Sequence, residues 1–217
     1  MNRHGSEADE MVARHLRGRG IRDPSVLAAM LAVPRQAFVP DDLTESAYAD
    51  HPLPIGLRQT ISQPYIVALM LEAARLTPDA HVLDVGTGSG YAAAVAAEIA
   101  RDVVSIERLP ALARTARSRL DALGYERVRI VVGDGTRGVP DAAPFDAIIA
   151  AAAGPEVPDA WLEQLTPGGR IVMPLDVGRG DQELVVLTRE ADGRMARRSL
   201  GAVIFVPLIG RGGFRSE

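Results

Sequence analysis

Between about Glu7 and Leu31, apolar residues recur at helical spacing, at Met11, Val12 and Leu16 and again at Val26, Leu27, Met30 and Leu31. RDPS at 22–25 breaks this run and restarts it, with Pro24 suited to the first turn of the second helix. Proline punctuates VPRQAFVP (33–40) and LPIG (53–56), which predicts loop or short extended chain there. A further helix opens at Gln63 or Pro64, its apolar face marked by Ile66, Val67, Leu69, Met70, Ala73 and Ala74.

From His81 the pattern changes to strands alternating with helices. HVLDVG is a short apolar run ending in glycine, AAAVAAEIA a helix and DVVSIE a strand. ALARTARSRLDALG is a helix stopped by Gly124, and VRIVVGDG a third strand. FDAIIAAAA gives a fourth strand, PDAWLEQL a helix, GGRIVMPL a fifth strand, and ELVVLTRE and AVIFVPL two late strands. This alternation predicts an α/β fold, a doubly wound and mostly parallel sheet with helices on both faces. We expect a single domain over 1–217, with a helical and loop cap at 1–80, a cofactor-binding core at 81–209 and a tail at 210–217.

At 217 residues and 47% apolar, the chain can bury one sizeable core. It has no unbroken apolar run of the ~18 to 20 residues that a membrane span needs, and MNRHGSEADE has no apolar leader core. The expectation is therefore a soluble, cytoplasmic protein without a membrane partner. The absence of cysteine excludes disulfides, thiolate nucleophiles and cysteine-based metal sites. Four scattered histidines, His4, His15, His51 and His81, lack metal-site spacing, so no metal is expected. A net charge of −4 gives no footprint for nucleic acid. GRGGFR (210–215) looks like a fragment of an RGG segment, but is read as a frayed, solvated terminus.

The chemistry concentrates around VLDVGTGSGYA. Gly86, Gly88 and Gly90 fall at the turn from a strand to a helix, where backbone must pass close to a ligand. The dinucleotide fingerprint would require glycine at 91, where this chain has Tyr91. Three acids instead fall at the carboxyl ends of successive strands: Asp84, Glu107, placed to accept ribose hydroxyls, and Asp134. Such a rim suits a ligand carrying ammonium, sulfonium and a neutral ribose, as S-adenosylmethionine does. A dinucleotide oxidoreductase is the competing reading, opposed by Tyr91 and by the long segment ahead of the first strand.

Before this motif comes LPIGLRQTISQPY (53–65), rigid and polar, without His, Asp, Glu or Cys. Together with VPRQAFVP, AYAD, LDVGTGSGY, GDG, PFDAII, PEVP, LEQLTPGGRIVMP and FVPLIG, in this order, it resembles the protein-L-isoaspartate O-methyltransferases over nearly the whole chain. The resemblance implies methyl transfer from S-adenosyl-L-methionine to the free α-carboxylate of L-isoaspartyl residues in damaged proteins. The ester would then collapse to a succinimide, which returns part of the material to aspartate. It further implies isoaspartyl proteins or peptides as partners, and a monomer is expected.

Carried over residue by residue, Ser62 matches the family's active-site serine. Thr60, Ile61 and Ser62 would border the cofactor, with Asp84, Gly86, Thr87, Gly88, Gly90, Glu107, Asp134 and Gly135 as its other contacts. Pro54, Ile55, Val206, Pro207 and Leu208 would hold the substrate. A base is unnecessary, because a carboxylate with a pKa about three units below neutrality is already ionised. Ser62 is then expected to aim the acceptor rather than deprotonate it; a serine there can also cap the following helix, and both roles are possible at once. Two positions depart from the family. Arg58 replaces a glycine and is read as pointing into solvent, and Ala150–Ala153 lack a hydroxyl often found there. His51 is read as a loop residue. Methylation of another carboxylate and a non-catalytic S-adenosylmethionine-binding module remain the alternatives.

Overall fold

The computed structural model describes residues 3–215. Helix α1 (Arg3–Glu10) runs into a π-helical turn, Met11–Leu16, and a 3₁₀ turn, Arg17–Arg19. Gly20 ends the run at φ 105°. Helix α2 (Pro24–Ala32) starts as the sequence predicts. Asp23 caps it by accepting hydrogen bonds from the N–H groups of Ser25 (2.8 Å) and Val26 (3.2 Å), and Pro24 occupies the first turn. VPRQAFVP is not extended. Pro34 and Pro40 each set φ just before a 3₁₀ helix, Arg35–Phe38 and Asp41–Ser46.

LPIG and QTI form a hairpin of β1 (Leu53–Gly56) and β2 (Gln59–Ile61). Its two-residue turn places Leu57 at φ 50° and Arg58 at φ 58°. Positive φ at both centres marks the mirror-image turn that fits strand twist, and this geometry favours glycine. That explains why glycine is expected at position 58. Arg58 is exposed at the hairpin tip. Helix α3 (Pro64–Ala74) follows directly.

The core sheet has seven strands in the order β5-β4-β3-β6-β7-β8-β9. They are β3 (His81–Val85), β4 (Asp102–Glu107), β5 (Val128–Val132), β6 (Phe145–Ala150), β7 (Leu165–Gly178), β8 (Asp181–Arg189) and β9 (Met195–Val203). The first five in this order pair in parallel, and β8 and β9 are antiparallel additions. Strand order reverses between β3 and β6, which opens a crevice at their carboxyl ends.

Helices α4 (Tyr91–Ala97), α5 (Pro110–Ala122) and α6 (Asp159–Glu163) complete the fold. One apolar cluster joins the cap, α3 and α4 to one face of the sheet, and a second surrounds the buried Trp161 of α6 on the other. Among the described residues no helix is long and apolar enough to cross a membrane.

The expected last strand, AVIFVPL, is misplaced. The strand is MARRSLGAV, and the chain leaves the sheet after Val203. Its alternation is masked because it is an edge strand with many charged, exposed positions. The expected frayed terminus is also corrected: 210–214 is hydrogen-bonded to the body of the protein, through Arg211 N–H to Asp134 and Gly212 N–H to Thr136.

Candidate active site

The glycine turn needs glycine for torsional reasons. Gly86, Gly88 and Gly90 sit at φ 92°, 53° and 92°, in the left-handed region that side chains resist. The turn is pinned from β4, because Ile106 O accepts the Gly86 N–H at 2.9 Å. Gly86 and Gly88 face an open cleft of about 1270 Å³ at the switch point. Gly90 faces away, where an added β-carbon would stand 3.4 Å from Ala116 and Leu120 of α5. Tyr91, where a dinucleotide fold would need glycine, is fully buried against the cap, edge-on to Phe38 at 5.6 Å.

The three acids differ in surroundings. Glu107 lines the cleft, and its oxygens accept the N–H groups of Gly88 (3.0 Å) and Leu109 (2.9 Å), each keeping a free lone pair. Asp84 lies one layer behind. Burial pushes its carboxyl up to about 6, the Ser105 hydroxyl at 2.6 Å opposes this, and the charge of Glu107 adds to it. Thr87 is buried and bonded to Ser105, so its side chain supports Asp84 rather than facing the cleft. Asp134 lies outside the cleft lining, although its neighbour Gly135 is part of it. Burial raises the Asp134 pKa, but N–H groups of Arg211 and Thr136 and the Thr136 hydroxyl more than offset this and hold it below the usual range.

From the hairpin side, Thr60 and Ser62 line the same cleft as Gly86, Gly88 and Glu107. Ile61 between them turns into the core. Gln63, not Ser62, occupies the cap position of α3, and no side chain caps that helix. The Ser62 hydroxyl makes no hydrogen bond among the described residues and so stays available to a ligand. Ser62 and Asp84 also share a narrow apolar recess behind the cleft. Of the LPIG residues, Pro54 is exposed, and Ile55 reaches over the glycine turn, 3.3 Å from where a β-carbon on Gly88 would lie.

The opposite wall is chain that has left β9. Val206, Pro207 and Leu208 line the cleft, held where Ala153 N–H donates to Val206 O (2.8 Å) and Leu208 N–H donates to Ala153 O (2.7 Å). Gln182 fixes Phe205 through both amide atoms, accepting from its N–H at 2.6 Å and donating to its carbonyl at 3.0 Å. Ala151 and Ala152 form part of the floor, and His51 is exposed.

This arrangement coincides with a known family. The family model for protein-L-isoaspartate(D-aspartate) O-methyltransferase matches residues 6–213. The chain belongs to the protein-L-isoaspartate O-methyltransferase family. It is 52% identical over 204 residues to a protein-L-isoaspartate O-methyltransferase of Pelobacter propionicus, covering 94% of this chain and 91% of that one. A Marinobacter nauticus relative of the same name is 51% identical over 218 residues, covering 99% and 100%. A solved protein-L-isoaspartate O-methyltransferase superposes with a TM-score of 0.85 at 29% identity, over 95% of this chain and 67% of that one. A Plasmodium falciparum beta-aspartate methyltransferase, solved in complex with S-adenosyl-L-homocysteine, gives 0.80 at 26% identity over 96% and 99%.

Three residues of this protein-L-isoaspartate O-methyltransferase family member escape the sequence reading. Arg35 has no solvent exposure and holds the Ser62 carbonyl. Gln182 clamps the opposite wall, and Trp161 donates from Nε1 to Gly135 O at 2.9 Å. The only signal for Trp161 is that it is the chain's single tryptophan. Arg35 and Gln182 read as ordinary surface polar residues.

Proposed function

We propose that this chain methylates the free α-carboxylate of L-isoaspartyl residues in damaged proteins, with S-adenosylmethionine as the methyl donor. One observation carries the reading. A free serine hydroxyl, Ser62, shares a cleft with the glycine turn and Glu107, just after a strand pair that offers no acid or base.

The residues present fit the cofactor. Gly86 and Gly88 open backbone to the cleft, and Glu107 retains acceptor capacity for ribose hydroxyls. At Gly135 a β-carbon would stand 2.6 Å from Val85 Cγ1, so only glycine brings the backbone this close. Bound there, S-adenosylmethionine supplies an electrophilic sulfonium methyl. The acceptor carboxylate arrives ionised, so the chain has no proton to remove. Its contribution is alignment, which alone can supply about 7–11 kcal/mol. Ser62 donates a hydrogen bond that aims the carboxylate, while Pro54 and Pro64 stiffen the hairpin and helix start beside it. The 206–208 wall holds the acceptor backbone. A backbone amide nitrogen next to the isoaspartyl residue then attacks the methyl ester, which closes a succinimide and releases methanol.

A monomeric protein in the cytoplasm completes the reading, and the cysteine-free sequence fits that location. The test is methylation of an isoaspartyl peptide beside its aspartyl twin. Strong preference for the isoaspartyl form is expected; equal rates would move the protein to another carboxylate, and no transfer would leave a binding module.

A further inference from the structure

The turn at 210–214 is built tightly onto the Asp134 turn. Arg211 N–H donates to Asp134 Oδ2 at 2.8 Å and Gly212 N–H donates to Thr136 Oγ1 at 3.0 Å. From the other side, Thr136 donates to Asp134 Oδ1 through both its N–H (2.9 Å) and its hydroxyl (2.7 Å). Three of the roughly four acceptor positions on this carboxylate are thus filled within the chain. The tail turn is closed by its own bonds, Gly210 N–H to Phe214 O at 3.1 Å and Phe214 N–H to Leu208 O at 2.8 Å.

Glycine is required here for approach rather than torsion. A β-carbon on Gly210 would stand 2.0 Å from Asp134 Oδ1, and one on Gly213 would stand 2.2 Å from Leu208 O. Between the two residues that the tail holds lies Gly135, which faces the cleft. Its carbonyl is fixed from beneath by the buried indole of Trp161, 2.9 Å away.

We propose that the 210–214 turn is a latch that positions the Gly135 wall of the cofactor site, with Asp134 and Gly210 as positioning residues that act through Gly135. Val206 and Leu208, on the opposite wall, are tied to Ala153, and the turn reaches this wall through the Phe214 N–H on Leu208 O. Opening the latch at Asp134 therefore lowers cofactor affinity while the bonds to Ala153 and Phe214 keep the opposite wall in place. This rests on the cleft being the cofactor site.

The full chain is titrated with S-adenosylhomocysteine by calorimetry, as wild type, Gly210→Ala, Asp134→Asn and, as a control, Gly5→Ala, whose β-carbon meets nothing within 4 Å. In Asp134→Asn an amide N–H₂ must face either the Arg211 donor or the Thr136 donors, so part of the latch opens without loss of volume. Both latch variants should weaken binding about tenfold, the scale of a lost hydrogen bond to a charged group. The control should bind as wild type does. Emission from Trp161, the single tryptophan, should shift in the latch variants before ligand is added. At saturating S-adenosylmethionine, the KM for an isoaspartyl peptide should stay within about twofold, well under the effect of one lost hydrogen bond. Unchanged affinity in both latch variants, with wild type binding normally, overturns the latch. A tenfold rise in peptide KM without a change in cofactor affinity overturns it as well. Failure of the wild type to bind at all would instead overturn the functional reading on which the latch rests.

Discussion

Arg35 Nη2 donates a 2.8 Å hydrogen bond to the backbone carbonyl of Ser62, from a side chain with no solvent exposure. The same guanidinium donates from Nε to Ala47 O at 2.7 Å and lies 4.7 Å from the centre of the Tyr91 ring. One cation thus ties Ser62 to the cap and to the first residue of the helix behind the glycine turn. Arg35→Met removes both donors and leaves two carbonyls unsatisfied, at a cost of about 2–4 kcal/mol. Urea unfolding should show that loss. Arg35→Lys, which keeps the charge but cannot span both carbonyls, should lower kcat while S-adenosylhomocysteine affinity holds. Equal kcat in Arg35→Lys and wild type would reduce Arg35 to a purely structural role.

Ser62→Ala isolates the hydroxyl itself. Because Gln63 holds the cap position of α3 and no side chain caps that helix, the substitution removes no helix cap and should leave the melting temperature nearly unchanged. Losing one hydrogen bond to an ionised acceptor should cut kcat about 10- to 100-fold. Cofactor affinity should fall far less. A kcat equal to wild type would take Ser62 out of the mechanism.

Asp84 makes stability depend on pH in the direction opposite to a salt-bridged acid. Burial lifts its pKa from 3.8 to about 6, so between those values the folded state binds more protons than the unfolded state. Stability must then fall as pH rises from about 4 to about 6 and level off above. Asp84→Asn removes the buried charge and lets Ser105 keep its hydrogen bond. The variant and wild type should melt together near pH 4, with the variant increasingly the more stable toward pH 7. A gap that does not open with pH would contradict the burial argument.

Much of this was legible in the sequence because local physics and global fold agree. The central strands are apolar and bounded by glycine or acids, and Asp23-Pro24 marks a helix start by capping chemistry alone. The glycine spacing located the turn, and Tyr91, which opposes a dinucleotide site, is buried edge-on to Phe38. What was missed depends on tertiary partners. Arg35 and Gln182 bond to backbone 27 and 23 residues away, which no periodicity reveals. The glycines at 210 and 213 imitate a flexible tail, although close approach to Asp134 and Leu208 is what requires them. The charged β9 is hidden by its edge position, and AVIFVPL reads as a strand although an apolar run can equally well line a cleft.

Gln182 offers a test of the acceptor wall separate from the cofactor site. Its amide pairs with the peptide of Phe205 as a neighbouring strand would, where the chain leaves the sheet and no backbone partner is in register. Gln182→Glu preserves the acceptor for the Phe205 N–H but sets a carboxylate oxygen against the Phe205 carbonyl, beside Asp181 and Glu183. The segment from Phe205 to Leu208 should loosen, because repulsion replaces one of the bonds that hold it. The KM for an isoaspartyl peptide should then rise about 5- to 20-fold, the range expected for losing one hydrogen bond and gaining an unsatisfied carbonyl. Affinity for S-adenosylhomocysteine should not change, since Glu107 and the glycine turn lie on other strands. A parallel loss of cofactor affinity would mean that the two walls move as one body.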